Sequence, residues 1–180
     1  MNESSSIPTV PRLLQRLALP VPPFALTPLV ARLVRQTVAD HPELFDRLGE
    51  HAGKCFDIDP TDLPFVIRLH ADPAYPRSSV HRRAQPGWDC RIAGSFAALV
   101  GMVHGAYDGD ALFFSRDIVI EGDTAAGLAL RNAIDNAELD LFSEATDALG
   151  AFGRTARPGL SRAADILERR TGVALRRVEI

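Results

Sequence analysis

Histidine, cysteine and carboxylate side chains are the groups here that could hold a metal or carry out proton transfer and nucleophilic attack. Their spacing forms none of the usual motifs. The five histidines stand at 41, 51, 70, 81 and 104. No two lie three or four residues apart, so no helix turns a pair of them toward one ion. Cys55 and Cys90 form no Cys-x-x-Cys, which removes a paired redox motif and a zinc knuckle. Asp57, Asp59 and Asp62 cluster without the glycine and terminal glutamate of a calcium loop. Neither a glycine-rich phosphate loop nor a Gly-x-Ser-x-Gly elbow is present. One reactive arrangement stays open: a Cys–His pair made by the fold, with Cys55 near His51 or Cys90 near a distant histidine. The plainer reading is two buried free thiols, since free cysteine behaves as a small hydrophobe. No cofactor or metal is expected, and the weight shifts from catalysis to binding.

Composition sets the outer bounds. A chain of 180 residues, 46% apolar and 24% charged, is sized for one domain with a true core and some extra length at the ends. The net charge of −3 is no match for nucleic acid. No run reaches the roughly 20 apolar residues of a membrane span. The start, MNESSSIPTVP, lacks the basic residues and apolar core of a signal peptide. A cytoplasmic protein is the default expectation. Lys54 is the one lysine among 20 basic residues, which reads as a composition bias of the source.

The elements that position everything else are carried by residues 111–141. Residues 117–121 alternate, with Ile118 and Ile120 facing one way and Asp117, Val119 and Glu121 the other, as a half-buried strand requires. Gly122-Asp123 ends the strand, and Asp123 is placed to cap a following helix. On that helix Ala126, Leu130, Ala133, Ile134, Ala137 and Leu141 share a stripe. Arg131, Asn132, Asp135, Asn136 and Glu138 lie opposite, and Leu128 is apolar amid the polar face.

Three segments are expected: an arm over 1–23, a domain over 24–150 and an arginine-rich tail over 151–180. Residues 1–10 read as disordered. Leu13, Leu14, Leu17 and Leu19 beside Arg12 and Arg16 suit either a packing arm or a membrane or partner contact. Thr27-Pro28 reads as the start of a helix ending near Ala39, and Asp40-His41-Pro42-Glu43 as a capping box for a second. Strands follow at 54–58 and 65–70, with Phe56 and Ile58, then Phe65, Ile67 and Leu69, on single faces. A weak strand at 78–84 and another at 91–94 come next. Ser95 then caps an apolar helix closed by Gly105, and a short helical piece covers Ala111–Phe114. A last helix starts at Asp140 or Ser143. The tail holds arginines 154, 157, 162, 169, 170, 176 and 177, which reads as a solvated terminus or as a contact for an anionic leaflet.

The pattern gives an α+β domain: a single curved, mostly antiparallel sheet of about five strands with helices on one face. A gap between those layers would be lined by Ile92, Phe96, Leu99, Met102, Leu112, Phe113, Phe114, Ile118, Ile120, Leu130, Ile134, Ala137 and Leu141. The same residues fill a plain core equally well. The small Ala126, Ala133 and Ala137 leave room on the buried stripe.

The run Leu112 to Leu139 resembles the C-terminal half of the sterol-carrier-protein-type lipid-binding fold. Phe113-Phe114, then Ile118-Val119-Ile120-Glu121-Gly122-Asp123-Thr124, with Asn132, Asp135 and Glu138 beyond, carry the likeness. It is especially similar to the bacterial UbiT branch, accessory factors of ubiquinone biosynthesis, and a weaker match reaches back to about Phe24. The resemblance implies a non-catalytic protein holding the polyprenyl tail of ubiquinone or a precursor between sheet and C-terminal helices. It implies partners among the other ubiquinone-biosynthesis proteins, those that hydroxylate included, an oxygen-independent pathway, and peripheral contact with the inner membrane. Within it, Phe113, Phe114, Ile118, Ile120, Leu130 and Ile134 are the lining positions, while Gly122 and Asp123 are structural. The chain departs from the branch between His70 and Trp88 and in its tail. Three alternatives stay open: a general lipid carrier, an adaptor with a filled core that meets a partner through Leu128 and the N-terminal leucines, and a cryptic Cys–His enzyme.

Overall fold

The computed structural model describes residues 7–137, 139, 141–148, 150, 155, 157–159, 161, 162, 165 and 168. Glu138, Asp140, the side chain of Asn136 and most of the arginine-rich tail lie outside them. The described elements are α1 (Arg12–Ala18), α2 (Pro23–Asp40), α3 (Glu43–Leu48), a single 3-10 turn (Gly49–His51), β1 (Cys55–Pro60), β2 (Val66–His70), β3 (Arg77–His81), β4 (Cys90–Gly94), α4 (Phe96–Val103), α5 (Gly109–Phe114), β5 (Ile118–Gly122), α6 (Thr124–Ala137) and α7 (Leu141–Ala148).

The five strands form one open, mixed sheet in the order β3-β2-β1-β4-β5. Only the central β1–β4 pair is parallel. The strand alternation seen in the sequence becomes two kinds of transverse row. One is apolar: Val80, Ile67, Ile58, Ile92 and Ile120 stand side by side across all five strands. The next is polar: Ser79, Arg68, Asp57, Arg91 and Glu121. The rows lie on opposite faces because successive side chains point to opposite sides. The helices pack on the apolar face, so Phe56, Ile92, Ile118, Leu99, Leu112 and Leu130 meet in one core. The polar face is laced by Arg68 to Asp57 at 2.7 Å, Arg91 to Asp59 at 2.6 Å, and Arg91 to Glu121.

The expected helix at Thr27 starts a turn earlier, at Pro23, with Pro22 before it and Pro28 inside. Proline suits the first helical turn, where the missing N–H has no partner anyway. Thr27 is therefore not a cap. Its hydroxyl donates to the Pro23 carbonyl at 3.3 Å and accepts from the Val80 N–H at 3.1 Å, which covers an outward N–H of the edge strand β3. Asp40 is likewise no cap: it ends α2, and α3 begins after Pro42. Leu141 does not continue α6 but opens α7. The N-terminal arm divides in two. Val10 is buried and Ile7 packs on the core, so residues 7–10 are held down rather than loose. The Asp62 carboxylate accepts from the N–H groups of Val10 and of Phe96, both at 2.7 Å, and so ties the arm to the start of α4. None of the residues of α1 is buried.

Ser95 and Asp123 cap as expected. Ser95 accepts from the Ala98 N–H at 3.1 Å and Asp123 from the Ala126 N–H at 3.0 Å. Gly122 sits at φ +76°, and a Cβ there would stand 2.4 Å from the Asp89 carbonyl, so only glycine makes this turn. Lys54 donates to Asp123 at 2.5 Å, joining the entrance of β1 to the start of α6. The Lys54 hydrogen bond and the Ala126 N–H hold the Asp123 carboxyl below its ordinary pKa. Stability from a lowered carboxyl pKa is complete above the unfolded value, about 3.9, and is lost as pH falls through the folded one. Asp123→Ala is expected to lower the urea midpoint at about pH 6, with the gap to wild type narrowing below about pH 4. A gap that stays constant on acidification would mean that the carboxylate's charge plays no part.

Candidate functional site

The stripe of α6 meets the stripes of two earlier helices over one end of the sheet, and the three do not close completely. Leu33, Val34, Thr37 and Val38 come from α2, Leu44, Phe45 and Leu48 from α3, and Leu130, Ala133 and Ile134 from α6. Leu69 and Ala71 form the floor, with Pro76, Leu139 and Leu141 at the sides. They enclose a cavity of about 180 Å³. Thr37 is the one polar residue on its wall, and its hydroxyl donates to Glu144 of α7 at 3.2 Å. Ala133 is fully buried, and its small side chain leaves the space that a leucine would fill. The wall carries no histidine, cysteine, lysine or carboxylate. An apolar hollow with this lining suits hydrocarbon, because water inside it would find few partners.

A second, smaller crevice of about 70 Å³ lies on the other side of α6, against α5 and β5. Ile92, Met102, Phe113, Phe114, Ile118, Ile120, Gly127, Leu128 and Arg131 surround it with Gly109 and Asp110. At Gly127 α6 comes close against the sheet, since a Cβ there would meet Ile120 at 2.7 Å. Phe114 is 84% exposed, and Phe113 and Leu128 are also open to solvent at the rim. Arg131 bridges to Asp110 at 2.5 Å and to Asp135 at 3.3 Å beside them.

The thirteen residues expected around a single gap are thus spread over the molecule. Leu130, Ile134 and Leu141 line the larger cavity. Ile92, Met102, Phe113, Phe114, Ile118 and Ile120 line the smaller crevice. Leu99, Leu112 and Ala137 are packed in the core, and Phe96 is half-buried outside both hollows. Seven of the fifteen residues around the larger cavity come from α2 and α3, outside the thirteen expected positions. Their stripes were visible as apolar residues at helical spacing. Packed and unpacked stripes carry the same residues, so the signal could not say which one leaves a void.

Both cysteines are buried free thiols, as the plainer reading expects. Cys55 lies near His70, with Sγ to Nε2 at 3.9 Å, and not near His51. His51 instead stands 2.8 Å from the Lys54 amine. Burial pushes the Cys55 thiol up, and the Cys90 thiol is pushed up to about 11, again mainly by burial. The thiolate is the reactive form, so neither group is set up as a nucleophile near neutral pH. Among the described residues no cluster of histidine, cysteine and carboxylate side chains suits a metal ion. No single described helix is long and apolar enough to cross a membrane.

Comparison with known proteins agrees with this architecture. The model of the SCP-2 sterol transfer family matches residues 31–135. No curated protein sequence matches the chain. Among solved structures, the UbiJ-SCP2 ubiquinone synthesis protein superposes with a TM-score of 0.52 at 17% identity, covering 64% of this chain and 93% of that one. Sterol carrier protein 2 from Yarrowia lipolytica, in its apo form, gives a TM-score of 0.45 at 13% identity, covering 66% and 95%.

Proposed function

Because this chain belongs to the SCP-2 sterol transfer family, we propose that it is a non-catalytic, lipid-binding accessory factor of ubiquinone biosynthesis. It holds the isoprenoid tail of ubiquinone or of a precursor and presents the head to the enzymes that modify it. The observation that carries the lipid part is the cavity between α2, α3 and α6, with a wall that is apolar but for Thr37. Burial contributes about 0.8 kcal/mol per CH₂, so one five-carbon isoprene unit adds on the order of 4 kcal/mol before the cost of association. The cavity as it stands is smaller than the ~300 Å³ of ordinary ligand pockets. It therefore takes a segment of the chain, and the rest of a long tail leaves through the mouth. The quinone part rests on the likeness of the Phe113–Thr124 run to the UbiT branch.

A carrier must meet the membrane that stores its lipid. The exposed part of the N-terminal arm suits that contact: Leu13, Leu17 and Leu19 are 69%, 60% and 56% exposed, with Arg12 and Arg16 among them. Arg82 fixes the segment by donating to the carbonyls of Leu19 and Val21, both at 2.6 Å. Leucines that enter the interface and arginines that meet anionic heads are the two halves of a peripheral anchor. The proposed location is the cytoplasmic face of the inner membrane.

The purified protein, incubated with anionic vesicles holding ubiquinone, separated and extracted into organic solvent, is expected to carry isoprenoid lipid. A Leu13→Asp/Leu17→Asp variant is expected to load more slowly and to reach the same final occupancy. Protein that arrives without lipid and takes none from vesicles would sink the carrier reading.

A further inference from the structure

The larger cavity adjoins a charged cleft. Three stretches of chain pass from one into the other within a single residue. Val34 lines the cavity and Arg35 the cleft, Ala71 the cavity and Asp72 the cleft, while Pro76 lines both and is followed by Arg77 in the cleft. Ala74 and Tyr75 complete it, in an open space of about 570 Å³. The apolar hollow therefore has a polar antechamber built by the segment between β2 and β3 and by the outward side of α2.

The charges there are unequal in what they are free to do. The Asp72 carboxylate turns back on its own loop and accepts from the N–H groups of Ala74 at 2.9 Å and Tyr75 at 3.2 Å. Both guanidiniums are exposed, and neither Arg35 nor Arg77 has a hydrogen-bond or ion-pair partner among the described residues. Arg68 of β2 and Arg91 of β4, by contrast, are each tied to carboxylates. Tyr75, 77% exposed, adds a phenol to the same rim. Two unpaired guanidiniums thus stand beside an apolar cavity in a molecule of net charge −3. A guanidinium presents a planar fork of donors that matches carboxylate and phosphate oxygens two at a time.

We propose that the Arg35–Tyr75–Arg77 cleft is the head-group subsite of the cavity, and that the ligand is an amphiphile with an anionic head, a carboxylate or a phosphate. This rests on the cavity being a lipid site, and deepens that reading. It favours an acid-headed prenylated precursor over the finished, neutral quinone. The tail enters past Pro76, and the head stays in water, held by the two arginines and the phenol. Binding of the anionic head is then salt-sensitive, because exposed ion pairs are screened within about 10 Å at 0.1 M salt.

The test compares probes that share one tail and differ in the head: a long-chain fatty acid, its phosphate-headed analogue and its alcohol, each titrated into the full chain and into Arg35→Gln/Arg77→Gln. Wild type is expected to bind both anions at least about tenfold tighter than the alcohol, a difference of ~1.4 kcal/mol. The variant is expected to lose that preference while binding the alcohol as before. A ratio between the two anions would say which head chemistry fits better. Equal binding of anions and alcohol by wild type, or a preference that survives in the variant, would overturn the subsite and leave the cavity reading standing. Failure of wild type to bind any of the three probes would overturn both.

Discussion

Arg68→Ala is expected to lower the stability of the domain by roughly 3–5 kcal/mol. The reason is the carboxylate it leaves behind. Asp57 is 1% exposed, in the middle of β1, and its two oxygens are both taken by Arg68, Nε to Oδ1 at 2.7 Å and Nη2 to Oδ2 at 2.9 Å. The remaining guanidinium donors reach the carbonyls of Gln85 at 2.5 Å and Pro86 at 3.2 Å, so the loop before β4 closes over the pair. Truncation removes the charge partner and keeps the burial, and a buried unpaired carboxylate is far costlier than a paired one is beneficial. The apolar replacement Asp57→Leu/Arg68→Met is expected to recover most of the loss, because it removes both charges together. Urea denaturation of the three proteins measures this. A loss below about 1 kcal/mol for Arg68→Ala would mean that water reaches Asp57 once the arginine is gone. The pair also bears on the cavity. Leu69, next to Arg68 on β2, points the other way and forms part of the cavity floor. Bracing the outer face keeps the inner one in register.

How far the residues disclosed this arrangement depends on how local the deciding interaction is. Period-two alternation over Ile118–Glu121 placed β5 correctly, because a strand with one wet face must alternate. Ser95 and Asp123 were readable as caps because a cap and its N–H groups lie within one turn. The start of α2 was not readable. Pro22 and Pro23 look like punctuation, and proline ends a helix or begins one with equal ease; Thr27 is then recruited by β3, fifty-three residues away. Asp40 has the spacing of a capping box, yet α2 runs through it, since Leu33, Val34 and Val38 carry its apolar stripe on toward the cavity. The Cys55–His70 proximity follows from strand register, since the two residues face each other across β1 and β2. The cavity was least legible of all. Whether Leu130 and Ile134 touch Leu33 and Leu44 or leave a gap is set by the distance between layers, which no single stripe encodes.

Ile134→Trp should abolish lipid uptake, and Leu128→Asp should leave it intact. Ile134 is half-buried on the cavity wall, next to Ala133, one turn from Leu130 and opposite the α2 leucine and valines. An indole there adds bulk into about 180 Å³ and has an exit toward the mouth, so the domain is expected to lose no more than the ~1–3 kcal/mol of moderate overpacking. Occupancy after vesicle incubation is expected to fall at least tenfold, a change of about 1.4 kcal/mol in apparent affinity. Leu128 sits on the far side of the same helix, 45% exposed, at the rim of the Phe113–Phe114 crevice. Its replacement by aspartate removes apolar surface from that rim without touching the larger cavity. The two variants therefore separate two ways of using this fold. If the chain is a carrier through the α2–α3–α6 cavity, only the tryptophan disables it. If the exposed Phe113, Phe114 and Leu128 are what matters, the aspartate abolishes partner capture while the tryptophan variant keeps it. Loss of lipid in Leu128→Asp with retention in Ile134→Trp would place the ligand in the crevice of α5 and β5, where Phe113, Phe114, Ile118 and Ile120 converge.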